Sequence, residues 1–269
     1  MSIKPALCAL LLFSASSLNG QGASRYRNSV NYYANSGSDI GPLDTIRVQP
    51  TPSARKAPAS TMISVHDLSV PSKACREFDR SMRAFRSGDF HLAAQHLEKA
   101  IQIAPDFVQA HNNLGAAYIR LHEYESAIAD LQEAIRLAPN LREPHHNLGI
   151  ALLLLGRLPE AEVAARRAVE LGPLDSSVRY TLGRILVAEE KNTPEAIQLL
   201  SESAPDIPEA RLSLAQVLHR RGSREQAIAE LQTYLRIPDS ANKDQVGAWL
   251  ALWTKELAET RSSASTRKP

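Results

Sequence analysis

From Ser72 to about Thr260 the apolar residues recur at three- and four-residue spacings, as in AIADLQEAIRLAP over residues 127–139. That period places them on one stripe of a helix and the charged residues on the other side, so the pattern predicts a succession of amphipathic helices. Upstream the pattern lapses. Residues 24–61 are rich in Ser, Asn, Pro and Arg, and their few apolar residues keep no sustained period. Too little apolar surface is available there to offset the entropy of ordering, which predicts a disordered linker over 23–71. Within it, MISVHDLSVP (62–71) alternates weakly at Ile63, Val65, Leu68 and Val70. Two readings stay open for it: a strap extended along the first helix pair, or more linker.

The helical pattern carries a phase of its own. Pro105, Pro139 and Pro173 stand 34 residues apart. Twelve residues before them lie Ala93, Ala127 and Ala161; five before lie Ala100, Ala134 and Ala168; twenty-four before lie Ser81, Gly115 and Gly149. A free-standing helix would gain more from bulky residues at these places, and glycine there costs about 1 kcal/mol of helix propensity relative to alanine. Sites kept small in phase mean that two helices approach closely at each of them. Each 34-residue unit therefore reads as two helices, the second stopping before a proline that has no amide to continue it. Neither helix buries its stripe alone; the pair does so against the next pair.

At these residues the sequence resembles the tetratricopeptide repeat family, whose unit has a Leu-Gly pair, an aromatic, alanines flanking a large apolar residue, and a closing proline. Residues 108–141 match it with Leu114-Gly115, Tyr118, Tyr124, Ala127, Leu131, Ala134 and Pro139. Laid over the chain, the period gives units at 74–107, 108–141, 142–175, 176–207 and 208–239, then an amphipathic capping helix over 240–262 and a disordered tail over 263–269. The first unit departs at Ser81 and Ala84; the fourth has an extra residue before Ala196 and Ser203 in place of an alanine, so its second helix should be short or irregular. The resemblance implies an all-α fold, a right-handed α–α superhelix of about five repeats.

The first residues add a destination. Lys4 precedes an apolar run from Ala6 to Phe13, followed by small and polar residues. The run is well short of the roughly 20 residues that span a bilayer, and it reads as a signal peptide within residues 1–22, cleaved after Ser17 or Gly22. Export to a bacterial periplasm, or secretion, is the expectation. Cys8 would leave with that segment, and Cys75 alone cannot form an internal disulfide.

Charge and motifs narrow the chemistry. The formal charge is +2, with both signs interleaved along the helices. This argues against a nucleic-acid partner. The sequence has no Gly-rich phosphate loop, no Gly-x-Ser-x-Gly elbow and no His-Glu-x-x-His pair. His111 and His145 hold the same place in adjacent units, roughly 10 Å apart by ordinary helix packing, too far to share a metal ion. No catalytic residue, metal or cofactor is expected.

Function is then expected from curvature. The resemblance implies an inner face lined by the first helix of each unit, accepting a peptide or a partner's helix. On this sequence that face takes Phe78, Met82 and Arg86 from the first unit, and Gln109, Asn112, Asn113 and Arg120 from the second. The third adds His146 and Asn147, the fourth Tyr180, Thr181 and Arg184, the fifth Gln216 and Arg220. Asn113 and Asn147 can each offer a donor and an acceptor to a peptide backbone, and the arginines can meet carboxylates. The carboxylate clamp known from some members is incomplete, because Phe78 and Glu143 stand where lysines would. The expected function is an exported, non-enzymatic protein-binding module, such as an adaptor in envelope assembly. The competing expectation is a regulatory or substrate-holding subunit of an enzyme complex.

Overall fold

The computed structural model describes residues 70–172, 175–191, 194–238, 240 and 242–265. The expected signal peptide and all but the last two residues of the expected linker lie outside the described residues. Within them the chain forms eleven helices and no strand: α1 (Ser72–Ser87), α2 (Phe90–Ile103), α3 (Val108–Arg120), α4 (Tyr124–Leu137), α5 (Arg142–Leu154), α6 (Leu158–Glu170), α7 (Ser176–Ala188), α8 (Pro194–Ser203), α9 (Ala210–Arg220), α10 (Arg224–Leu235) and α11 (Lys243–Ser265). They pair in sequence order, and each pair packs on the next.

Small residues set how close the pairs come. Ala93, Ala127, Ala161, Ala196 and Ala227 are fully buried, one in each second helix. At Gly115 a Cβ would stand 2.5 Å from Leu131 Cγ, so α3 and α4 meet where no side chain separates them. Gly183 has the same relation to Leu200, with 2.9 Å left for a Cβ. Where a serine replaces the expected small apolar residue, its hydroxyl donates back along its own helix: Ser81 Oγ to Phe78 O and Ser203 Oγ to Leu199 O, both at 2.6 Å. That bond lets a polar side chain be buried without a loss. The irregular fourth unit keeps its second helix, α8, as the shortest of the set at 10 residues.

A left-handed residue closes the turn inside every pair. Gly88, Gly156 and Gly222 take it at φ 76°, 80° and 82°, while His122 and Glu190 take it at 62° and 58°. Gly88, His122, Gly156 and Glu190 stand 34 residues apart, and Gly222 follows after 32. Glycine suits this conformation because it carries no Cβ to meet the following carbonyl.

The ends are closed by aromatics. Phe78 and Phe107 stack with centroids 4.9 Å apart, packing α1 under the entry to α3. At the other end α11 lies against α10, and Trp253 stacks on His219 at 4.1 Å. This helix starts at Lys243 and runs to Ser265, three residues beyond the expected end at 262; the remainder of the expected tail lies outside the described residues. Among the described residues no helix is long and apolar enough to cross a membrane.

Candidate functional site

The helices touch unequally on the two sides of the stack. First helices meet the next first helices, α3 with α5, α5 with α7 and α7 with α9, whereas no two second helices approach as closely. A stack that is tight along one edge and splayed along the other curves towards the tight edge. The first helices therefore line its inner side, with Ala116 and Ala151 buried among them.

Along that inner side runs a line of polar side chains. Asn112, Asn113 and Asn147 are 0% exposed, and His146 and Thr181 are almost as buried. Asn147 Nδ2 donates to Asn112 Oδ1 at 3.0 Å, Asn112 Nδ2 donates to Asn113 Oδ1 at 3.1 Å, and Asn113 Nδ2 reaches Met82 Sδ at 3.5 Å. His146 Nε2 lies 2.9 Å from Thr181 Oγ1. The first link joins α5 to α3, the third α3 to α1, and the last α5 to α7. The amides and the imidazole each take part in further interactions as well. Buried amides demand such partners, since an unmet one costs about 1 to 3 kcal/mol.

The remaining candidates divide. Phe78, Met82 and Tyr180 are buried in the core rather than presented from it. Gln109 and Gln216 are half-buried and Arg86 is exposed. The arginines are less available to a ligand's carboxylate than their spacing suggested. The Arg120 guanidinium lies 4.8 Å above the Phe90 ring and that of Arg184 5.4 Å from Tyr180. Arg220 Nη1 donates to the carbonyl of Val187 at 3.1 Å, tying α9 to α7. Phe90, Phe107 and Trp253 were not singled out by the sequence reading. The period does flag Phe90, one repeat before Tyr124, and Phe107, one repeat before Leu141; Trp253 has no such signal.

Next to this row, one residue before Asn112, His111 tethers α3 to its own second helix. Its Nδ1 lies 3.0 Å from Asp130 Oδ1 and its Nε2 2.9 Å from the carbonyl of Pro105. Both neighbours are acceptors, so only the doubly protonated ring satisfies both. Burial opposes that charge, yet the bonds to Asp130 and the Pro105 carbonyl leave the ring's pKa above its ordinary value. Among the described residues no cluster of three or more His, Cys, Asp or Glu is arranged to hold a metal ion.

Known proteins resemble the chain as follows. Tetratricopeptide repeat models match residues 108–141, 146–208 and 208–233, and a TPR repeat model matches 84–122, together more than half of the chain. No curated protein matches it by sequence. Among solved structures, MamA from Desulfovibrio magneticus RS-1 superposes with a TM-score of 0.56 at 19% identity, over 65% of this chain and 99% of that one. YrrB, described as a TPR protein with an unusual peptide-binding site, gives 0.52 at 22% identity over 68% and 92%. The Cut9–Hcn1 hetero-tetramer of APC/C gives 0.62 at 18% identity over 71% and 38%. At these identities the likeness is one of fold.

Proposed function

The chain belongs to the tetratricopeptide repeat family, and from that premise we propose that it is an exported, non-enzymatic adaptor that holds an extended segment of a partner protein along its inner face. The observation that carries this reading is the line of amides along the inner side, Asn112 and Asn113 on α3 and Asn147 on α5. An inner face serving only to pack helices would be more stable apolar, because buried polar groups at best recover what they lose from water. Asn113 and Asn147, one repeat apart at a helix-packing interval of about 10 Å, match every third residue of an extended chain at about 3.3 Å per residue. Side-chain amides can offer such a chain both a donor and an acceptor for its backbone when they exchange the bonds they make to one another. The description of YrrB as holding a peptide-binding site supports the same use of the fold. Export rests on Lys4 and the apolar run Ala6–Phe13, and N-terminal sequencing of the processed chain should read from Leu18 or Ala23. The interleaved charges favour a protein over a nucleic acid as the partner.

The groove is tested with a displayed library of random dodecapeptides selected against the full chain. Selected peptides should bind at least tenfold more weakly to an Arg120→Glu variant whose circular dichroism matches the wild type. Equal binding to both would place the peptides elsewhere on the molecule and overturn the reading.

A further inference from the structure

We infer that the exposed face of α1 is a second docking surface, and that its occupant is a helix of another protein carrying carboxylates at three- and four-residue spacings. Lys73, Arg76, Arg80 and Arg83 are all exposed. At about 100° per residue they fall within about 80° of arc and run about 15 Å along the helix. Glu77 and Asp79 lie to either side of that arc. As a whole α1 holds five Lys and Arg against two Asp and Glu, a net +3, whereas the entire chain carries +2.

The period identifies the face. One repeat later the places of Arg76, Arg80 and Arg83 are held by Ala110, Leu114 and Ala117, and in the fourth unit by Val178, Leu182 and Ile185; all six are buried. Each later first helix has the preceding pair packed on it, as α3 has α2 and α7 has α6. On α1 the same face stays open among the described residues and has exchanged apolar side chains for basic ones. Its geometry still accepts a helix; its chemistry now asks for an acidic one.

A face made polar only to end the stack needs no single sign. At the other end α11 interleaves Lys243, Lys255 and Arg261 with Asp244, Glu256 and Glu259. The stripe on α1 instead sets like charges three and four residues apart, an arrangement that destabilises a helix. Of its four cations only Arg80 meets a carboxylate among the described residues, that of Glu77 on its own helix. Charge also selects the occupant. Residues 1–69 hold six Lys or Arg and three Asp, the wrong net sign to cover the stripe, and the balanced α11 of a second copy offers it no complement. The exposed residues of α1 include no apolar one to enter a bilayer, as an interfacial helix requires.

The test uses the full chain and a fluorescent, alanine-rich synthetic helix of about 20 residues, long enough to hold its form in water, with glutamates at the matching spacings. A twin carries glutamine in their place. The glutamate helix should bind the wild type, bind an Arg76→Glu/Arg83→Glu variant about tenfold more weakly, and lose affinity as salt rises above about 0.1 M. An Arg221→Glu/Arg236→Glu variant makes the same change of net charge at exposed sites elsewhere and should bind as the wild type does. Circular dichroism should show the same helix content in all three chains, since only exposed side chains change. Failure of the glutamate helix to bind the wild type, equal binding of the glutamine twin, or equal loss in the two variants would overturn the inference. Self-association of the wild type that the Arg76→Glu/Arg83→Glu variant loses in sedimentation would make the occupant a second copy and overturn it too. So would binding of anionic vesicles or of a DNA duplex through the same arginines without binding of the glutamate helix.

Discussion

His111 and His145 occupy the same place in consecutive repeats, each with Nε2 2.9 Å from a proline carbonyl, of Pro105 and Pro139 respectively. Their surroundings shift the two rings in opposite directions. His111 also meets Asp130, which together with the Pro105 bond and Glu133 outweighs burial and raises its pKa. His145 is lowered by burial, and the Arg167 charge adds to that. The residues 34 positions after Asp130 and Glu133 are Ala164 and Arg167, so the repeat has kept the imidazole and exchanged its surroundings.

The sign of the pH dependence follows. A histidine whose folded pKa is raised contributes stability that is complete below its unfolded value of about 6.5 and is lost as pH rises through the folded value. Asp130→Ala should therefore destabilise by about 1 to 3 kcal/mol near pH 6, the range for a hydrogen bond to a charged group, and by less near pH 8. Urea denaturation at the two pH values reads this difference, and a constant difference would contradict the assignment.

The converse holds for His145, whose lowered pKa contributes stability that is present above about pH 6.5 and lost as pH falls. Ala164→Asp copies the His111 environment into the next repeat. It should move the His145 ring titration, followed by nuclear magnetic resonance, from below the ordinary histidine value to above it. A titration that stays low would mean that the extra carboxylate is held away from the ring.

Gly115 and Gly149 form a second matched pair. Leu131 blocks a Cβ at Gly115, whereas at Gly149 the residue in the corresponding place is Ala165, 3.4 Å from the added atom. Gly115→Ala should cost about 1 to 3 kcal/mol by overpacking, in excess of its gain in helix propensity. Gly149→Ala should be neutral or stabilising by up to about 1 kcal/mol. Thermal melts of the two single variants separate these outcomes, and equal shifts would count against the packing account.

The fourth turn holds Glu190 at φ 58°, where the first, third and fifth turns use glycine. Glu190→Gly relieves the clash of Cβ with the following carbonyl and should stabilise the protein by about 1 kcal/mol. A lowered melting temperature would show that the glutamate side chain contributes more than its strained backbone costs.

The helix pairs were legible in the sequence because close approach leaves a residue-by-residue trace, small side chains in phase with prolines. Ser81 and Ser203 broke that trace, yet both sites are buried with hydroxyls turned to their own helices, a solution that composition does not reveal. The inner face was legible as a set of positions but not as a set of bonds. Asn112 and Asn147 lie 35 residues apart, and nothing in their spacing tells that α3 and α5 come near enough for the amides to bond each other. The pinning of Arg120 over Phe90 was hidden for a related reason: the period marks Phe90, one repeat before Tyr124, but not that the guanidinium at the end of α3 comes to lie over its ring. The end of α11 was misplaced because its last residues, rich in Ser and Ala, carry no stop signal of proline or glycine.

The polar links also have a mechanical meaning. Straightening an arc lengthens its inner chord first, so a pull on the two ends loads Asn112–Asn147 and His146–Thr181 before it loads the splayed outer helices. The inner row acts as a tendon in series with the repeats. Softening one link by substitution should change the pitch of the whole coil more than it changes the melting of any single repeat.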